Sequence, residues 1–187
     1  ATCTMRCAWT GGFLSFSDRR YGITRSPEIA GNVEFHCSAV GWGKVKQQYK
    51  GMYQNGKVLT LAYAVDGIDV FEVPRLVADG EVASFARVFR IAPHDQPLSL
   101  SLFERPGTRT IIEQDRHARY AQGDDVLTVA VVSDSDAVTL QHNLDSVTLR
   151  LEPSDKPTNF TLHVMQCSEQ ELEAGDELLV RPKGLPP

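Results

Sequence analysis

The chain has 187 residues, of which 42% are apolar and 23% charged, with a net charge of −5. That is enough length for one domain with a sizeable core, and its basic groups (Arg19-Arg20, Lys44-Val45-Lys46) are too short and isolated to track a phosphate backbone, which argues against nucleic acid as a partner. No run of about 18 apolar residues occurs, so no membrane-spanning helix is expected, and the opening residues do not read as a signal peptide.

β-type runs bounded by Gly, Pro, Asn and Asp are predicted at residues 7–15, 33–37, 49–54, 57–65, 68–73, 81–91, 98–103, 108–112, 126–132, 137–141, 146–152, 159–167 and 177–181. The first run contains Trp9-Thr10-Gly11-Gly12, where a glycine pair reads as a bulge or sharp bend, or as a close approach of ligand to backbone. Trp9 and Trp42 are each read as a core or hinge residue, or as a platform for a sugar ring. Residues 21–32, with Pro27 and two glycines, read as a loop.

The clearest local signal follows. Residues 49–73 form three β-rich runs separated by Asn55-Gly56 and Asp66-Gly67, the preferred pairs for type I′ turns. A three-stranded antiparallel meander is predicted, with Met52 opposite Leu59, Tyr63 opposite Val70 and Val65 opposite Ile68. One face then carries Met52, Leu59, Leu61, Tyr63, Val65, Ile68 and Val70 toward a core. The other carries Tyr49, Gly51, Tyr53, Val58, Thr60, Ala62, Ala64, Asp69, Phe71 and Val73. Its small middle and aromatic flanks would suit a flat ligand such as a sugar ring, or a covering strand, loop or neighbouring domain.

Further along, Leu98, Leu100 and Leu102 share a face, as do Val147, Leu149 and Leu151, and Phe160, Leu162 and Val164. Residues 126–132 are apolar almost throughout, the pattern of a strand covered on both sides. Residues 153–158 read as a loop, and Ser168-Glu169-Gln170-Glu171 reads as a capping box opening one helical turn that ends at Gly175. No internal repeat is apparent. The expected class is all-β: an antiparallel two-sheet sandwich, jelly-roll-like, with at most one short helix. One domain is expected over 1–182, with a Pro-rich linker or tail at 183–187; the start at Ala1 reads as a processed chain or a fragment.

Reactive chemistry is sparse. The cysteines Cys3, Cys7, Cys37 and Cys167 allow three pairings, and two disulfides in an oxidising compartment is the leading reading, above buried thiols or zinc. His36, His94, His117, His142 and His163 are scattered and form no H-x-H or H-E-x-x-H motif. His36 and His163 alternate with apolar neighbours and read as hydrogen-bonded structural residues. Asp124-Asp125, Asp134-Ser135-Asp136 and Asp115-Arg116-His117 read as turn or loop formers. Asn159-Phe160-Thr161 fits a glycosylation acceptor. No nucleophile elbow, phosphate-binding loop or C-x-x-C-H string is present.

Several strings carry a resemblance: Ala8-Trp9-Thr10-Gly11-Gly12-Phe13-Leu14, Tyr49-Lys50-Gly51-Met52-Tyr53, Gly56-Lys57-Val58-Leu59-Thr60-Leu61-Ala62-Tyr63, Val65-Asp66-Gly67-Ile68-Asp69-Val70-Phe71-Glu72 and Phe85-Ala86-Arg87-Val88-Phe89-Arg90-Ile91. Over roughly residues 5–105 the chain resembles an uncharacterised β-rich domain found N-terminal to PVC-type cytochrome c modules in large secreted bacterial dehydrogenase-like proteins. The resemblance implies a secreted or periplasmic location and haem or dehydrogenase modules as neighbours. It implies c-type haem only in such a neighbour and carries over no catalytic residues; the residue patterns themselves lead to the expectation of no cofactor and no metal in this segment. The combined expectation is a non-catalytic accessory module acting by domain packing or carbohydrate binding through Tyr49, Tyr53, Phe71, Trp9 and Trp42. The alternative is a jelly-roll hydrolase or lyase with an Asp/His/Tyr site.

Overall fold

A computed structural model describes residues 3–16, 26–79, 82–142 and 144–179. The strands are β1 (Cys7–Thr10), β2 (Leu14–Ser15), β3 (Glu28–Ile29), β4 (Asn32–His36), β5 (Gln47–Asn55), β6 (Val58–Val65), β7 (Ile68–Asp79), β8 (Val82–Ile91), β9 (Leu98–Glu104), β10 (Arg109–Gln114), β11 (His117–Gln122), β12 (Asp125–Ser133), β13 (Val138–His142), β14 (Ser146–Leu151) and β15 (Thr158–Ser168). A 3-10 turn (Glu169–Glu171) and one short helix, α1 (Leu172–Glu177), follow. The fold is an all-β antiparallel sandwich.

The larger layer is an eight-stranded sheet in the order β10-β11-β12-β15-β8-β7-β6-β5. The smaller is β13-β14-β9. A ribbon of β1 paired with β4 extends this second layer, because Ser38 N donates to Leu102 O at 2.7 Å and Ser101 N to Gly41 O at 2.8 Å. The alternating leucines meet as their spacing requires: Leu98 opposes Leu151 and Leu100 opposes Leu149. Facing them from the large sheet, Phe89 and Phe160 are direct partners whose rings stack at 4.9 Å.

The far face of the large sheet is buried as well. Val88, Thr128, Thr161 and His163 are fully buried there, consistent with the near-continuous apolar run in β12. Part of the cover is α1, whose Gly175 lies so close to Met165 that a Cβ would fall 2.5 Å from its sulfur. The 3-10 turn leading into α1 opens on the expected capping box, with Glu171 Oε2 accepting from both Ser168 N (2.9 Å) and Ser168 Oγ (2.6 Å), and the helix runs past the expected stop at Gly175 to Glu177.

Two corners carry the chain between the layers, and they reveal a repeat where none was expected. Arg90-Ile91-Ala92-Pro93-His94-Asp95-Gln96-Pro97 joins β8 to β9; Arg150-Leu151-Glu152-Pro153-Ser154-Asp155-Lys156-Pro157 joins β14 to β15. They dock by reciprocal backbone bonds, His94 N to Ser154 O and Ser154 N to His94 O, both 2.9 Å. The strand pairings obey the same pseudo-twofold: Ile91 opposes Thr158 while Leu151 opposes Leu98, and Phe89 opposes Phe160 while Leu149 opposes Leu100. The motif is short, and the strands around it diverge because each packs against different neighbours.

Other expectations need correction. Residues 7–15 are two strands, broken at Gly11-Gly12, and β3 lies within the predicted loop 21–32; residues 17–25 fall outside the described set. Residues 117–122 form β11, because alternating Ala118 and Tyr120 enter the core. The expected strand at 177–181 is instead the end of α1 and a turn as far as residue 179, the remainder lying outside the described residues.

Candidate functional site

The meander shows where sequence geometry holds and where it fails. The second turn is as expected: Asp66 (φ 52°) and Gly67 (φ 85°) both have positive φ, and Val65 opposes Ile68. In the first turn the central pair is Gly56-Lys57, with positive φ at Gly56 alone and Asn55 opposite Val58, the arrangement of a type II′ turn. Met52 therefore opposes Leu61 rather than Leu59. β5 then bulges between Tyr49 and Gly51, with Gly51 at φ 153°. An extra residue in one strand exchanges the faces beyond it.

The expected Tyr49/Tyr53/Phe71 face is consequently split. Tyr53 opposes Thr60, and Phe71 opposes Ala62, on the outer side of the sheet. Tyr49 opposes Tyr63 and lies on the inner side. The outer centre is closed, since Ala62, Ala64 and Val73 are buried. Met52, expected in the core, lies opposite Leu61 but is 58% exposed. Trp42 is corrected outright: it is 3% exposed, with its ring 6.4 Å from Phe89 and 6.5 Å from Tyr63, so it is core and not a platform. Trp9 is half-buried on the ribbon, its Nε1 donating to Gly12 O at 3.1 Å.

Tyr49 instead borders an inner cavity of about 320 Å³, together with Cys3, Thr4, Met5, Leu61, Tyr63, Glu72 and Pro74. The segment before β1 forms one wall. It is fixed by Cys3 N donating to Gln47 Oε1 (2.9 Å), and Thr4 fills the space a side chain at Gly41 would need. Aromatic and aliphatic groups make the walls; the polar edge is Glu72. Its carboxylate takes Arg87 Nε at 2.6 Å, Arg87 Nη2 at 3.1 Å and Tyr63 OH at 2.8 Å. A carboxylate offers about four acceptor positions, and these bonds use three of them.

Electrostatics fix the state of this edge. Burial opposes the Arg87 charge, but the Glu72 carboxylate outweighs it and raises the guanidinium above its ordinary pKa. Burial, and then Glu72, hold Tyr63 well above the usual phenol value, so its proton stays in place. Burial raises Cys3 and pushes Cys37 up to about 11, with Arg87 only partly opposing in the latter. These two sulfurs are neutral thiols at pH 7, poor nucleophiles and poor metal ligands. All four cysteines are free, and Cys167 lies in a separate cluster with Val82, Met165 and Leu178, so the two-disulfide expectation is not met.

No histidine borders the cavity. His163 is buried on the far face with Nδ1 2.9 Å from Ser84 Oγ, whereas His36, expected to be structural, is exposed. Arg116, expected in a solvated loop, clamps the 133–136 turn through Ser133 O (3.1 Å), Ser135 O (2.7 Å) and Asp136 Oδ1 (2.9 Å). Among the described residues no three His, Cys, Asp or Glu side chains converge as a metal site would require. The acceptor motif at Asn159 lies inside β15, with Thr161 fully buried. What sequence reasoning missed was Glu72 paired with Arg87: the two are not direct cross-strand partners, since Glu72 opposes Phe89 and Arg87 opposes Pro74. The available signal was alternation: Glu72 falls on the face of Ile68 and Val70, and Arg87 on the face of Phe85 and Phe89, each a charge among apolar positions.

Residues 1–72 match a family model described as "Domain of unknown function (DUF6797)". That stretch carries every cavity residue except Pro74. No curated protein matches the chain. Among solved structures, a protein described as "Putative kojibiose phosphorylase from human microbiome" is similar at 15% identity and a TM-score of 0.35, over 72% of this chain and 22% of that one. The chain thus spans about a fifth of that protein's length.

Proposed function

We propose that the chain is a non-catalytic accessory module of an exported, multidomain electron-transfer or carbohydrate-oxidising protein, and that it holds a sugar in the Tyr49–Glu72 cavity. The observation that carries the ligand is the cavity: apolar walls for a ring face, and one carboxylate position for a hydroxyl. The ligand is neutral, because the Glu72 charge is already matched by Arg87. The exported setting, with haem or dehydrogenase modules as neighbours, rests on the resemblance of the Trp9-to-Leu14 and Tyr49-to-Glu72 strings. A hydrolase or lyase reading finds less support: acid/base work needs a second ionisable group near the reacting atoms, and Glu72 is the sole acid bordering the cavity, with no histidine beside it.

Calorimetric titration of the protein with neutral mono- and oligosaccharides tests this. Saturable binding is expected, and Tyr49→Ala should abolish it while leaving the fold intact, since Tyr49 is 57% exposed. Binding indifferent to Tyr49→Ala, or no binding of any saccharide, refutes the reading.

A further inference from the structure

We propose that the cavity is the first of two collinear subsites, that a groove between Trp9, Phe13 and Leu76 is the second, and that the ligand is therefore an extended neutral oligosaccharide. The inference rests on the carbohydrate reading above and deepens it.

β7 aligns the two. Its pairing with β8 runs without a bulge from Val70 opposite Ile91 to Asp79 opposite Val82, so Glu72, Pro74 and Leu76 alternate onto the same face. Glu72 and Pro74 border the cavity; Leu76 borders an open groove of about 400 Å³ with Trp9, Thr10, Gly11, Gly12 and Phe13. At a strand's rise per residue, Glu72 and Leu76 are about 13 Å apart, longer than one sugar ring and on the scale of a trisaccharide. β6 last pairs with β7 at Leu61 opposite Glu72, and Pro74, which has no N–H to offer β6, lies just beyond. Pro74 and Leu76 are both exposed.

The groove is a formed platform. Trp9 is pinned by its bond to Gly12 O, and Gly31 lies beneath it so closely that a Cβ there would come within 2.9 Å of Trp9 Cδ1. A ring held before binding loses little freedom on binding. Phe13 is 73% exposed beside it, which has no packing explanation within this chain's described residues. None of the residues bordering the groove is charged, so, like the charge-compensated Glu72–Arg87 edge, it offers no cation to an acidic saccharide.

The test is calorimetry with α-1,4- and β-1,4-linked gluco-oligosaccharides from glucose to the hexamer, on the wild type and on Phe13→Ala, Leu76→Ser and Tyr49→Ala. Affinity should rise about tenfold or more between the monomer and the tetramer, the scale of one aromatic contact. Phe13→Ala and Leu76→Ser should lose that rise and keep monomer affinity within about twofold, while Tyr49→Ala abolishes both. Binding that is independent of chain length, or a rise that survives Phe13→Ala, overturns the second subsite and leaves the cavity reading standing. A wild type that binds none of the saccharides overturns both.

Discussion

Consider replacing Arg87 with methionine. The guanidinium and Glu72 side chains are only 4% and 6% exposed, so the variant strands a carboxylate in the core with Tyr63 as its sole donor. Removing one partner of a buried pair costs about 3–5 kcal/mol. Glu72→Leu leaves the opposite charge uncompensated, relieved only by the Phe89 ring 4.9 Å from the guanidinium, and should cost a similar amount. The double variant carries no buried charge at this site. It loses the acceptor of Tyr63 OH, worth about 1–3 kcal/mol, and little else. The double should therefore be more stable than either single, and its loss far short of their combined losses. Urea denaturation with an unchanged m value measures this cycle. Singles within about 0.5 kcal/mol of wild type, or additivity to that level, would refute a desolvated pair at the cavity edge. The double variant should still lose saccharide binding, because the hydroxyl acceptor is gone.

Three further outcomes are expected. His117 is held below its ordinary value of 6.5, first by burial and then by Arg119, with Asp176 partly opposing; the unfolded chain therefore takes up the proton first, and stability should decline as pH falls from about 6.5 through the lower folded value. Denaturation midpoints across that window should flatten in His117→Gln, and an unchanged slope contradicts the assignment. Gly31→Ala drives a Cβ into Trp9 and the Thr10 carbonyl and should cost about 1–3 kcal/mol, whereas a neutral result would mean that the ribbon yields there. Cys37, with its thiol at about 11, should be alkylated by iodoacetamide at pH 8 much more slowly in the folded protein than in urea; equal rates would place it at the surface.

Much of the architecture was legible in the sequence because period-two patterns read directly as faces. The leucine ladders of β9 and β14, the doubly covered β12, the Asp66-Gly67 turn and the Ser168 capping box all follow from local rules. The site did not. One extra residue at Lys50 moves Tyr49 from the outer to the inner side, and nothing in Tyr49-Lys50-Gly51 announces a bulge apart from its glycine. Trp42 sits outside any strand, so no alternation could mark it as core. The Glu72–Arg87 pair joins residues on adjacent strands that are not direct partners, a contact that needs the register of β7 on β8. The corner repeat escaped for a related reason: its meaning lies in two turns docking, not in the strands that flank them.

Where a saccharide contacts the protein distinguishes the inner cavity from the outer face of the sheet. Assigned NMR spectra recorded during titration with a gluco-oligosaccharide give that directly. Shifts are predicted at Tyr49, Leu61, Glu72 and Met5, with Tyr53 and Phe71 on the outer side unmoved. Perturbation centred on Tyr53 and Phe71, with the inner residues silent, would contradict the cavity reading.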